Sequence, residues 1–190
     1  MSNPLVLYLA GAIRDNEEQD IVWREHTAMA LMPFIQQGLL RIISPLGGKQ
    51  FNAKTGKWTI SGEETSAAHI VAQDFWAIDR ADLAVFNLLS LAQGYPSIGT
   101  LMELGRATGR STLRYIIAPP AFQGHANKGT FAGLHPFVER NASMCFESVE
   151  RWLNFMMRHM PVLAGVDPRF NPPREKDVLE LLTLDKFFNA

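Results

Sequence analysis

The chain has 190 residues, 47% of them hydrophobic, with 18 Lys+Arg against 19 Asp+Glu and a net charge of −1. That length suffices for one domain with a sizeable core and is short for two. The near-neutral charge excludes a protein that coats nucleic acid with a basic face, and a single cysteine, Cys145, excludes a disulfide framework or a multi-thiolate metal site. Leu5–Ala10 is a short apolar run closed by Gly11, which predicts a buried strand of a parallel sheet. Between Asn16 and Gln37 the apolar residues recur at helical spacing, with Gly38 placed as a C-cap and Pro33 as a shortening or kinking point. Leu39–Ile43 predicts a second strand, stopped by Ser44-Pro45, and residues 46–63, rich in glycine and poor in periodic apolar positions, predict a long loop.

A helix is expected from Thr65 to Arg80, a third strand over Leu83–Leu89, a helix over Ile98–Thr108 ended by Gly109, and a fourth strand over Leu113–Ala118. Loop-like sequence runs on to His135. An apolar helix carrying Cys145 as a core residue is expected over Cys145–Met157, then a Pro-rich bend at 161–173 and a last helix over Arg174–Phe188. Four alternations of strand and helix predict an α/β layer structure with a parallel sheet. The chemistry should then lie just past the strands, at 11–15, 44–64, 87–99 and 119–135.

Several familiar motifs fail. Gly11-Ala12-Ile13-Arg14 lacks the dinucleotide fingerprint, and Lys128 precedes Gly129 where a phosphate loop needs the reverse. The five histidines show no ligand spacing, so no metal and no cofactor are expected. No apolar run approaches the roughly 20 residues of a membrane span, and the stretch Pro4–Ile13 has no basic lead-in. The expectation is a soluble protein of a reducing cytoplasm, with neither a membrane nor a nucleic acid polymer as partner.

What survives is a set of polar residues at strand ends. Arg14 follows strand one, Asp74 lies in the helix before strand three, and Ser97 opens the helix after it as an N-cap. The N–H groups behind Ser97 form a natural anion site. Glu103 follows six positions on, among Leu101, Met102 and Leu104, where an apolar setting desolvates a carboxylate unless hydrogen bonds hold it ionised. Taken singly, each has a plainer reading: solvated helix charges for Glu103 and Arg14, a dipole partner for Asp74, core for Tyr8, a strand-start cap for Asp82. Trp58 and Trp76 read as core before base-stacking platforms, and Arg106, Arg110 and Arg114 as a solvated face or a subunit contact.

Taken together, Tyr8-Leu9-Ala10-Gly11, Gln73-Asp74, Ala81-Asp82 and Ser97-Ile98-Gly99 with Glu103-Leu104-Gly105-Arg106-Ala107 resemble the nucleoside 2-deoxyribosyltransferase superfamily, which includes the deoxynucleoside 5′-monophosphate N-glycosidases. The resemblance spans roughly residues 5–118. It implies a flavodoxin-like three-layer fold over residues 1–160, with residues 161–190 as a C-terminal helical extension packed on it or on a neighbouring subunit. It also implies a homo-oligomer, a dimer or larger, with shared active sites. By position, Glu103 would be the nucleophile at the anomeric carbon, Asp74 the acid that binds the base and assists its departure, and Tyr8 the residue that orients Glu103. Gly11, which lets the substrate approach, and Ile13, Arg14, Ser97 and Gly99 would bind substrate, with Asn141 the candidate supplied by a neighbour. The transferases carry Asp where this chain has Ser97; the monophosphate enzymes carry Ser there and share the Gly-x-Ile-Arg pattern, though often with Ser in place of Ala12. A hydroxyl and an arginine suit a 5′-phosphate that a carboxylate would repel. The implied activity is cleavage of the N-glycosidic bond of 2′-deoxynucleosides or their 5′-monophosphates, with the sugar passed to another base or to water. The alternatives are a 5′-monophosphate N-hydrolase only, a non-catalytic nucleotide-binding module, or a flavodoxin-like redox protein.

Overall fold

The computed structural model describes residues 3–13, 18–47, 49–52, 57–60, 63–90, 97–119 and 136–166. Five strands, β1 (Leu5–Gly11), β2 (Leu40–Ile43), β6 (Leu83–Asn87), β7 (Leu113–Ile117) and β8 (Met144–Phe146), form an all-parallel sheet in the order β2-β1-β6-β7-β8. Counted along the chain, that order is 2-1-3-4-5, the flavodoxin-like arrangement, whose crevice opens where the winding reverses, between the first and third parallel strands. Here those are β1 and β6, paired from Leu7 with Leu83 to Gly11 with Asn87.

Side-chain alternation along the strands builds two cores. Leu7, Leu9, Leu83, Val85, Tyr115 and Ile117 face helices α1 (Glu18–Ala30), α2 (Met32–Gln36) and α6 (Val149–Leu163), meeting Trp23, Phe34, Trp152 and Met156. Tyr8, Ala10, Ala84, Phe86 and Ile116 face the other way, onto Ile78 of α3 (Ala67–Ile78), Leu104 and Ala107 of α4 (Ile98–Ala107) and Val138 of α5 (Pro136–Asn141). The period of two along β1 thus hands Tyr8 to the α4 layer and its neighbours Leu7 and Leu9 to the opposite one. The result is the three-layer α/β fold expected from the sequence.

Four local expectations are corrected. The stretch expected as a loop after residue 46 holds a three-stranded antiparallel meander, β3 (Lys49–Asn52), β4 (Lys57–Ile60) and β5 (Glu63–Glu64). The expected first helix breaks at Leu31, with Pro33 in the opening turn of α2, where its missing N–H costs least. Cys145 lies on the edge strand β8, half-buried, and the helix begins at Val149, capped by the Ser148 hydroxyl accepting from the Arg151 N–H at 3.3 Å. That helix runs through Pro161 to Leu163, past the point at which the Pro-rich bend was expected to begin, and the stretch from 167 to 173 lies outside the described residues. The expected last helix lies outside the described residues.

Candidate active site

At the switch point a cavity of about 370 Å³ is lined by Gly11, Ala12, Ile13, Pro45, Asp74, Ser90, Ser97, Ile98, Gly99, Thr100 and Glu103. Glu103 is nine-tenths buried, held one turn behind Thr100 on the inner face of α4. The Tyr8 hydroxyl, wholly buried, donates to Glu103 Oε1 at 2.7 Å. Burial, with the negative charges of Glu103 and Asp74, drives the Tyr8 phenol far above its ordinary pKa, so it stays a donor at any working pH. A fixed donor on a buried carboxylate orients it and favours its ionised form.

Ser97 occupies the N-cap position of α4, but its hydroxyl caps no backbone N–H; it shares a 2.5 Å hydrogen bond with Thr100 Oγ1. The first turn of α4 therefore brings to the pocket a pair of linked hydroxyls beside the positive end of the helix. Gly99 leaves open space where a side chain would stand. Gly11 is different. A Cβ there would meet Trp23 Cζ2 at 3.0 Å, Arg24 Nη2 at 3.2 Å and Asn87 Cβ at 3.3 Å, so its glycine is required by the chain's own packing.

Arg24 carries no signal in the sequence. It is buried on α1, and its guanidinium donates to the carbonyls of Gly11 at 2.9 Å and Ala12 at 3.3 Å, fixing the backbone that forms one wall of the cavity. The Arg24 charge also acts on Tyr8, lowering the phenol slightly against the larger raising effects of burial and the carboxylates. Pro45, Ser90 and Thr100 were likewise not singled out as site residues; Pro45 and Ser90 fall inside the strand-end windows and Thr100 one position beyond them.

The structure thus brings Tyr8, Gly11, Ile13, Asp74, Ser97, Gly99 and Glu103 to one place. Arg14 lies outside the described residues. Asn141 is not among the cavity residues: its side chain donates to the Phe137 carbonyl at 2.5 Å and its own carbonyl accepts from Arg114 Nε at 2.6 Å. Asp82 is a strand-start cap, accepting from the Val6 N–H at 2.8 Å. Arg106 and Arg110 both bind Asp79, tying α4 to the end of α3. Trp76 is neither core nor pocket but 54% exposed, with the Arg80 guanidinium 3.9 Å from its ring centroid; the Trp58 side chain lies outside the described residues. No cluster of metal-ligating side chains and no helix long and apolar enough to cross a membrane occurs among the described residues.

No protein-family model and no curated protein matches the chain by sequence. Solved structures do match it in fold. A conserved protein from Enterococcus faecalis V583 superposes with a TM-score of 0.55 at 14% identity, covering 80% of this chain and 96% of that one. A 2-desoxiribosyltransferase from Leishmania mexicana superposes with a TM-score of 0.52, also at 14% identity, covering 80% of this chain and 97% of that one. The chain therefore shares its fold with a solved deoxyribosyltransferase.

Proposed function

We propose that the protein is a nucleoside 2-deoxyribosyltransferase-like enzyme. It cleaves the N-glycosidic bond of 2′-deoxynucleosides or their 5′-monophosphates through a covalent deoxyribosyl–Glu103 intermediate. The observation that carries this reading is the 2.7 Å hydrogen bond from Tyr8 to Glu103 in a cavity that Asp74 also lines. A buried, oriented carboxylate beside a second acid is what departure of a base from a sugar requires.

In the first displacement a Glu103 oxygen bonds to C1′, the C1′–N bond breaks, and its electron pair leaves with the base. Asp74 binds that base and assists the proton transfer that neutralises it. In the second displacement a base nitrogen or a water oxygen bonds to C1′ and gives up its proton to Asp74, the ester C–O bond breaks, and the Glu103 carboxylate is restored. Two displacements at one carbon give net retention. Tyr8 stays protonated throughout and keeps the nucleophile aimed.

The 5′ end of the sugar lies toward Ser97 and Gly99, with Ile13 beside it, and Arg14, assigned from its sequence position alone, is the proposed partner of a 5′-phosphate. Hydroxyls at that end accept a 5′-hydroxyl or a 5′-phosphate without like-charge repulsion. The enzyme acts in the cytoplasm as a homo-oligomer. The exposed apolar residues Val71 and Trp76 on α3 and Ile98 and Met102 on α4 support a second copy packing beside the cavity, with Asn141 as the residue a neighbour supplies.

The test is incubation with each 2′-deoxynucleoside and each 5′-monophosphate, with and without a second free base, followed by chromatography. Free base shows hydrolysis and a swapped nucleoside shows transfer. Unchanged substrate in every arm contradicts the proposal.

A further inference from the structure

Ser90 stands three residues past the end of β6 and lines the cavity, yet it is only 8% exposed. Its Oγ is buried and has no hydrogen-bond partner among the described residues. A buried hydroxyl left in that condition forfeits its hydration for nothing in return, and folded proteins keep few such groups. Two other hydroxyls that line the cavity, Ser97 and Thr100, bond each other, and Asn87 Oδ1, three positions before Ser90, accepts from the Leu89 N–H at 3.1 Å. Ser90 is the hydroxyl on this wall with both donor and acceptor capacity unused.

We propose that Ser90 is a ligand-binding residue whose hydroxyl bonds a neutral polar group of the bound 2′-deoxynucleoside, on its sugar or its base. The identity of the ligand rests on the function proposed above. A hydroxyl can donate one bond and accept others, which fits a sugar hydroxyl, a base carbonyl or a ring nitrogen equally. With Asp74 and Glu103 lining the same cavity, a neutral group is the partner that meets no charge repulsion. A hydroxyl that finds its partner on the ligand serves binding and adds nothing to the fold, so the two are opposed at this position.

That opposition makes the test decisive. Wild type and Ser90→Ala are compared by thermal melting and by calorimetric titration with the four 2′-deoxynucleosides, their 5′-monophosphates, the free bases and 2-deoxyribose. The expected result is a ligand-free Tm of Ser90→Ala equal to or above that of wild type, with nucleoside affinity weakened roughly three- to tenfold. If the loss is also seen with the free base, the contact is to the base; if it is confined to sugar-bearing ligands, the contact is to the sugar. Wild-type affinity in Ser90→Ala overturns the inference while leaving the proposed function standing. A wild-type protein that binds none of the ligands overturns the proposed function, and this inference with it.

Discussion

Tyr8 and Glu103, 95 positions apart in sequence, are joined by a 2.7 Å hydrogen bond between a buried phenol and a buried carboxylate. Tyr8 points to the α4 face because β1 alternates, and Glu103 points back because α4 packs that face through Leu104 and Ala107. Tyr8→Phe removes the donor and keeps the ring. A hydrogen bond to a charged group is worth about 1.5–3 kcal/mol, so the variant should lose roughly ten- to a hundredfold in kcat while remaining folded. Steady-state kinetics with near-UV circular dichroism check this.

The Tyr8 phenol is raised by burial and by the Glu103 and Asp74 charges, well beyond the alkaline range accessible to enzymes. A proton that never leaves produces no alkaline limb. The pH–rate profile should therefore show no fall assignable to Tyr8 up to about pH 10, the ordinary phenol value. An alkaline limb near that value that disappears in Tyr8→Phe would contradict the burial argument.

Gly11→Ala should destabilise the protein by about 1–3 kcal/mol, the usual cost of forcing an extra carbon into a packed core. The added Cβ meets the Trp23 ring, the Arg24 guanidinium and Asn87 from three sides. Urea unfolding measures the loss. Gly99→Ala, whose Cβ meets nothing, should leave stability nearly unchanged and act instead on ligand affinity.

Asp79 accepts two bonds from Arg106, at 2.9 and 2.6 Å, and pairs with Arg110 at 2.8 Å. The Arg106 hydrogen bond, more than the charges around it, holds its carboxyl below the ordinary 3.8. A carboxyl with a lower pKa folded than unfolded stabilises the fold above its unfolded value and loses that contribution as pH falls through its folded value. Because the pair is solvent-exposed, Asp79→Ala should cost at most about 1 kcal/mol at pH 7. The gap from wild type should close as the pH drops below about 4, as thermal melts across that range will register.

Cys145, on the edge strand, is pushed up to about 11 by burial and by Glu139. A thiol that is protonated at neutral pH is a poor nucleophile. Iodoacetamide at pH 7.5 should label it far more slowly than a free cysteine peptide, with the rate rising steeply in denaturant.

Most of the parallel sheet was legible because its strands are short apolar runs closed by punctuation, such as Leu5–Ala10 before Gly11. The fifth strand was not. Met144, Cys145 and Phe146 form a three-residue strand that flows into the apolar pattern of α6, so periodicity alone fuses the two. Pro161 suggested the start of a bend, but α6 continues through it and ends two residues later, at Leu163. The meander at 49–64 lacks the alternating apolar pattern that would announce strands. Within the site, Tyr8, Asp74 and Glu103 were legible through their sequence blocks. Arg24 was invisible, since a helical arginine reads as solvated until a tertiary contact buries it. Ser90 was equally silent, because a serine after a strand reads as loop and only burial exposes its unused hydroxyl.

Whether Glu103 carries the deoxyribosyl group is decided by acid-quenched intact-protein mass spectrometry during turnover, with peptide mapping, on wild type and Glu103→Gln. The expected result is a 2-deoxyribosyl adduct on the peptide holding Glu103 in wild type, with neither adduct nor base release in the variant. Undiminished base release by Glu103→Gln would contradict it.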